Sequence, residues 1–221
     1  MTKMKARLLK SVVVVSASVA FCTPSFAATV FENIAATNSL NRSFSPGNNI
    51  EFGDQLFLAG SDRRVTDFQF DYFLSANANG NERAELFFYQ NNGGAAGSAP
   101  GSLLYRSGQF PLDRGTQTVV AQALSVTVQN TFTWSVAFNG IALGEQAGLL
   151  QFDPPTIGNS LDDFWVKNTD GSWATFLVDN GATPGNFNAR VTAVPEPGTF
   201  AFAISMILAW FGYRGYRRHQ S

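Results

Sequence analysis

Polar and apolar residues alternate with a period of two along much of the middle of the chain. In Thr66-Asp67-Phe68-Gln69-Phe70-Asp71-Tyr72, an extended backbone puts Phe68, Phe70 and Tyr72 on one face and Asp67, Gln69 and Asp71 on the other. Leu74 continues the apolar face. The same alternation recurs in Ala84, Leu86 and Phe88, in Leu124, Val126 and Val128, and in Phe132, Trp134, Val136 and Phe138. Further strands are expected over Gln55 to Ala59, Leu103 to Arg106, Gly148 to Phe152, Asp163 to Lys167, Trp173 to Val178 and Asn188 to Val194. No window of this region carries the 3.6-residue stripe of an amphipathic helix.

Turn chemistry separates these runs. Asn92-Gly93, Asn139-Gly140, Asp170-Gly171 and Asn180-Gly181 supply residues that tolerate the positive φ of tight hairpins. Asp170-Gly171 lies between two aromatic runs, so Phe164 to Val178 is expected to form a hairpin. Asn91 to Gly101, rich in Gly, Ala, Asn and Ser, reads as a surface loop. No fixed-period repeat is visible. Many short strands and no helices predict an all-β fold, an antiparallel β-sandwich of jelly-roll-like form.

The two ends read differently from the middle. Lys3, Lys5, Arg7 and Lys10 precede an apolar stretch from Leu8 to Phe21, and Ser25-Phe26-Ala27 places small residues where a signal peptidase needs them. Residues 1–27 are therefore expected to be a signal peptide, cut between Ala27 and Ala28. Phe21 stands before Cys22, where a lipoprotein signal needs a small residue. At the other end Val194-Pro195-Glu196-Pro197-Gly198 leads into an apolar segment from Thr199 to Gly212, followed by Arg214, Arg217 and Arg218. That segment makes only about 21 Å of helix against a hydrocarbon core of about 30 Å, and Tyr213 with a snorkelling Arg214 lengthens it.

In order and content, residues 194–218 resemble the PEP-CTERM sorting signal of Gram-negative bacteria that make extracellular polysaccharide. The resemblance implies a motif, a C-terminal transmembrane helix over 199–213 in the inner membrane, and a cytoplasmic basic tail. It also implies processing by exosortase, a membrane protease-like enzyme, in addition to signal peptidase. Residues 28–193 then form one exported domain, of a length that suits a single core. More loosely, segments such as Thr133-Trp134-Ser135-Val136 and Asp162-Asp163-Phe164-Trp165 resemble the sandwich domains that precede such tails.

Charge and composition narrow what the domain does. The whole chain has a formal charge of −1, but residues 28–194 hold eight Arg and Lys against fifteen Asp and Glu, a formal −7. That sign disfavours nucleic acid as a partner. The only histidine is His219 and the only cysteine is Cys22, so a Ser-His-Asp triad, a Cys-His pair, a histidine zinc site and a disulfide are excluded from the domain. Catalysis would fall to carboxylates. Asp67 and Asp71 share a face but stand about 13 Å apart, too far for a glycosidase pair.

Asn77-Ala78-Asn79-Gly80-Asn81-Glu82 spaces oxygen side chains as a calcium loop does, yet holds one carboxylate and reads better as a turn. Asp153, Asp162, Asp163 and Asp170 form a second acidic region. No cofactor is expected. Trp165, on the opposite face from Phe164 and Val166, is the first candidate for a ligand surface, followed by Trp173 and Tyr89. Two functions follow as expectations. The first is a non-catalytic surface or extracellular-matrix protein, released to the cell surface and associated with exopolysaccharide. The second is a lectin-like or carbohydrate-active domain on the same export route.

Overall fold

A computed structural model describes residues 26–34, 39–44, 50–92, 97–152 and 154–196, with the backbone alone for 39–44. The apolar core of the signal peptide, Cys22, Gly93, Asp153, Pro197, Gly198, the segment 199–213, Arg214, Arg217, Arg218 and His219 lie outside the described residues.

The described residues are all-β, with two antiparallel sheets. Its strands are β1 (Ala28–Glu32), β2 (Ser39–Phe44), β3 (Glu51–Phe57), β4 (Arg64–Leu74), β5 (Arg83–Asn91), β6 (Pro100–Arg106), β7 (Phe110–Pro111) and β8 (Gly115–Ala121). They continue with β9 (Val126–Thr127), β10 (Thr131–Asn139), β11 (Ala147–Phe152), β12 (Asn159–Ser160), β13 (Asp163–Lys167), β14 (Trp173–Leu177) and β15 (Ala189–Val194). The first sheet runs β1-β15-β4-β11-β2, and the second runs β14-β13-β3-β10-β5-β6. The long strand β4 organises the first sheet. It pairs with β15 and then β11 along one edge, and with β9 and β8 along the other.

Alternation places the core as the sequence pattern requires. Phe68, Phe70 and Tyr72 of β4 are buried, as are Phe132, Trp134, Val136 and Phe138 of β10 and Ala84, Leu86 and Phe88 of β5. Rings from the two sheets meet between them. Phe68 lies 5.0 Å from Trp134 and 4.9 Å from Phe88, centroid to centroid, and Phe70 lies 5.5 Å from Trp134. Phe187, just before β15, stands 5.6 Å from Phe52 and 5.0 Å from Phe164. Each such pair adds about 0.5–1.5 kcal/mol beyond the area it buries.

Most expected strands are present with slightly moved ends. β13 and β14 pair antiparallel across Asp170-Gly171, with Gly171 at φ +86°, so the expected hairpin is there. The run Leu124 to Val128 yields only the two-residue β9. The strands β1, β2, β7, β8 and β12 have no counterpart in the sequence reading. β8 lies largely exposed, so it has no buried face to impose an apolar period.

One core position is acidic. Asp54, between Phe52 and Leu56 on β3 and in register with Trp134, is fully buried. Its Oδ1 accepts the Gln55 N–H at 2.7 Å and its Oδ2 accepts the Phe187 N–H at 3.4 Å. Burial drives the carboxyl well above its ordinary pKa; the two N–H groups oppose this, while Asp163 and Asp162 add to it. Because the folded-state pKa exceeds the unfolded one, this group favours folding below the unfolded pKa, and that contribution is lost as pH rises through the folded value. Urea denaturation of Asp54→Asn across pH 4–8 should therefore show a flatter pH dependence, with the variant gaining on the wild type as pH rises. A constant difference between the two would contradict the assignment.

Candidate functional site

The outer face of the second sheet gathers the residues singled out in the sequence. On β13 Phe164 points into the core, so Trp165 and Lys167 must point out. Cross-strand register then sets Trp165 beside Gly53 on β3, Gly53 beside Ser135 on β10, and Ser135 beside Phe87 on β5. Glu51 and Glu85 flank Ala137 in the next row, and Gln55 and Tyr89 flank Thr133 in the row on the other side.

This face is concave. Tyr89 on β5 and Trp173 on β14 belong to strands four steps apart, about 19 Å in a flat sheet. Their ring centroids are nevertheless 5.3 Å apart, at 73°. The sheet must curl so that β13 and β14 fold toward β5. The tightest point is Gly53, where a Cβ would run into the carbonyl oxygen of Trp134 and the Cα of Ser135. Only glycine lets β3 and β10 approach this way.

Lys167 closes the resulting furrow. Its Nζ donates to Glu51 Oε2 at 2.9 Å and to the Tyr89 hydroxyl at 3.2 Å, and lies 5.3 Å from both the Tyr89 and Trp173 ring centroids. Ser135 Oγ donates to the other Glu51 oxygen at 2.6 Å. Burial first, and then the Glu51 carboxylate, hold the Tyr89 phenol above its ordinary pKa, so it keeps its proton at neutral pH. A second group repeats the theme, with Arg106 paired to Glu85 and its guanidinium 5.7 Å from the Phe87 ring centroid. At the far side the loop before β6 is pinned down by Gln55 and Asn91, which both donate to the Ser98 carbonyl.

The three candidate aromatics thus share one face but not one degree of exposure. Trp165 and Tyr89 are 7% and 6% exposed, which leaves little ring for a ligand, whereas Trp173 is half-buried. Glu51 and Glu85 stand two strand spacings apart, about 9–10 Å, and each is committed to a cation. The sequence reading missed Lys167, Glu51, Glu85 and Arg106. Strand parity could have joined Lys167 to Trp165, but the register across β3, β10 and β5 leaves no local trace.

The other candidates are dispersed or engaged locally. Glu82 takes the Asn79 and Gly80 N–H groups at 2.6 and 2.8 Å, and the Asn79 side chain takes the Asn81 N–H, so the Asn77–Glu82 oxygens hold their own turn. Asp162 and Asp163 lie near Asp54, whereas Asp170 binds Ser172 in the β13–β14 turn. Among the described residues no group of three His, Cys, Asp or Glu is arranged to hold a metal ion.

The boundaries of the expected tags also fall on the fold. β1 begins at Ala28, next to Ala27, and Ala28 pairs with Ala193. β15 ends at Val194, buried and paired with Arg64; Pro195 is half-buried, and Glu196 is exposed in a cleft that also contains Arg63. No protein-family model, curated protein or solved structure matches this chain.

Lys167→Met would leave the largely buried Glu51 with Ser135 alone. The full cost of breaking a buried pair is about 3–5 kcal/mol, and the partial exposure of Lys167 reduces it to about 1–3 kcal/mol. Adding Glu51→Gln should restore most of that loss in urea denaturation, and a strictly additive double variant would contradict the pairing.

Proposed function

We propose that the chain is an exported, non-catalytic surface or extracellular-matrix protein, sorted and processed through its C-terminal tail and associated with exopolysaccharide. Signal peptidase removes residues 1–27, the segment 199–213 holds the chain in the inner membrane, and exosortase acts at Val194-Pro195-Glu196-Pro197-Gly198. Between them lies a jelly-roll-like body that reaches the cell surface or matrix.

The observation that carries this reading is the pairing of Ala28 with Ala193. The strands begin where the signal is expected to be cut and end at Val194, the first residue of the motif. Among the described residues, removing both tags takes from the sheets only Val194, the last residue of β15. The two tags also leave the body from neighbouring points, so both can meet the same membrane while the body projects from it. A lectin-like or carbohydrate-active domain on this route is the second reading, and the half-buried Trp173 at the furrow favours it.

The chain should be expressed in a Gram-negative host that contains an exosortase, and its termini read by mass spectrometry of the envelope and medium. The proposal expects a mature start at Ala28 and loss of the basic tail, with Glu196→Ala accumulating as a longer, membrane-bound form. Intact chain in the cytosol with both ends retained would overturn it.

A further inference from the structure

A cleft of about 540 Å³ opens at the edge where β9 of the first sheet meets β6 of the second. That size falls in the range of about 300–1,000 Å³ typical of small-molecule sites. Leu104 and Val128 give it an apolar side, and Arg63, Gln129, Thr127 and Glu196 stand among its polar walls. It is distinct from the furrow closed by Lys167.

Arg63 is built into this cleft rather than draped over it. It is 9% exposed and held by four hydrogen bonds: Nε to Asn130 Oδ1 at 2.7 Å, Nη1 to the Asp62 and Ala59 carbonyls at 2.7 and 3.3 Å, and Nη2 to the Gly60 carbonyl at 2.6 Å. A guanidinium has five N–H donors, so one at Nη2 has no partner among the described residues. A ligand oxygen in the cleft that Arg63 lines would accept from it. Glu196 lines the same cleft and acts on Arg63 through its charge, but the two close no ion pair. The side chains of Gln90, Thr127, Gln129 and Thr131 likewise make no hydrogen bond to another described residue.

We infer that this cleft binds a neutral, polyhydroxylated ligand, namely a sugar residue of a polysaccharide. A fixed cation and a carboxylate in one cleft repel cations and anions respectively, while both suit hydroxyl groups, which accept from Arg63 and donate to Glu196. The amides and hydroxyls of Gln129, Thr127 and Gln90 supply the remaining donors and acceptors. The half-buried Leu104 offers an apolar surface to the C–H face of the ring. The inference deepens the matrix reading and rests on it for the source of the sugar, though not for the chemistry of the cleft. Because Glu196 belongs to the sorting motif, the site spans the folded body and the start of the tail.

The test is calorimetric titration of the full chain, in a detergent without a sugar headgroup, with maltose, cellobiose and glucuronic acid. At least one neutral disaccharide should bind, more tightly than glucuronic acid. The exposed pair Gln129→Ala with Thr127→Val should weaken it at least about tenfold, or about 1.4 kcal/mol, with an unchanged thermal midpoint. Trp173→Ala, at the furrow, should leave binding intact. No binding of either disaccharide at ~10 mM, retention of affinity in the Gln129/Thr127 variant, or loss of affinity in Trp173→Ala would each overturn the inference. If the tail is processed normally and no sugar binds, the cleft assignment fails alone. Sugar binding by a chain that is never processed supports the cleft and removes the sorting reading.

Discussion

Phe68 of one sheet and Trp134 of the other meet at 5.0 Å, and the rest of the fold is arranged around that contact. No disulfide can hold this body, because the only cysteine of the chain is Cys22. Burying each large aromatic side chain contributes about 1.5–3 kcal/mol, and the pairwise ring contacts add to it. β4 supplies Phe68, Phe70 and Tyr72 to this layer and at the same time pairs with four strands of its own sheet. Loss of the layer would remove the reason for both sheets to face each other. Asp54 is the local exception, a carboxyl retained among rings where an apolar side chain would fit the pattern.

The second sheet curls, and Gly53 stands where β3 and β10 approach too closely for a Cβ. Gly53 lets β3 press against β10, and Trp173 reaches Tyr89 across the three strands between them. Curling explains why the outward-pointing Trp165 and Tyr89 are covered although neither belongs to the inter-sheet core. Lys167 lays its cationic end beside Tyr89 and Trp173 and pairs with Glu51, and Arg106 lies beside Phe87 and pairs with Glu85. The furrow is therefore a second packed surface, built from aromatic and charged groups together, and the open polar volume lies elsewhere, at the β6–β9 edge.

Strands with an apolar residue at every second position facing the inter-sheet core were legible in the sequence, as β4, β5 and β10 show. The β13–β14 hairpin was legible too, because Asp170-Gly171 separates two aromatic runs. β8 was not, since an exposed edge strand has no core to select its apolar residues. The facing direction of Trp165 followed from parity, but its burial did not, because burial depends on the curl at Gly53. Arg63 went unnoticed for a related reason. Its role comes from the Gly60, Asp62 and Asn130 acceptors that surround it, and Asn130 is remote in sequence.

The account makes residues 28–196 a self-sufficient body whose stability resides in the inter-sheet aromatic layer, with the two ends serving transport. Amide hydrogen exchange on that fragment, made without either tag, tests this most directly. The account predicts one cooperative unit, with the slowest exchange in β4, β5 and β10 and faster exchange in β8 and β14. A fragment whose β4 and β10 amides exchange as fast as those of β14 would contradict it.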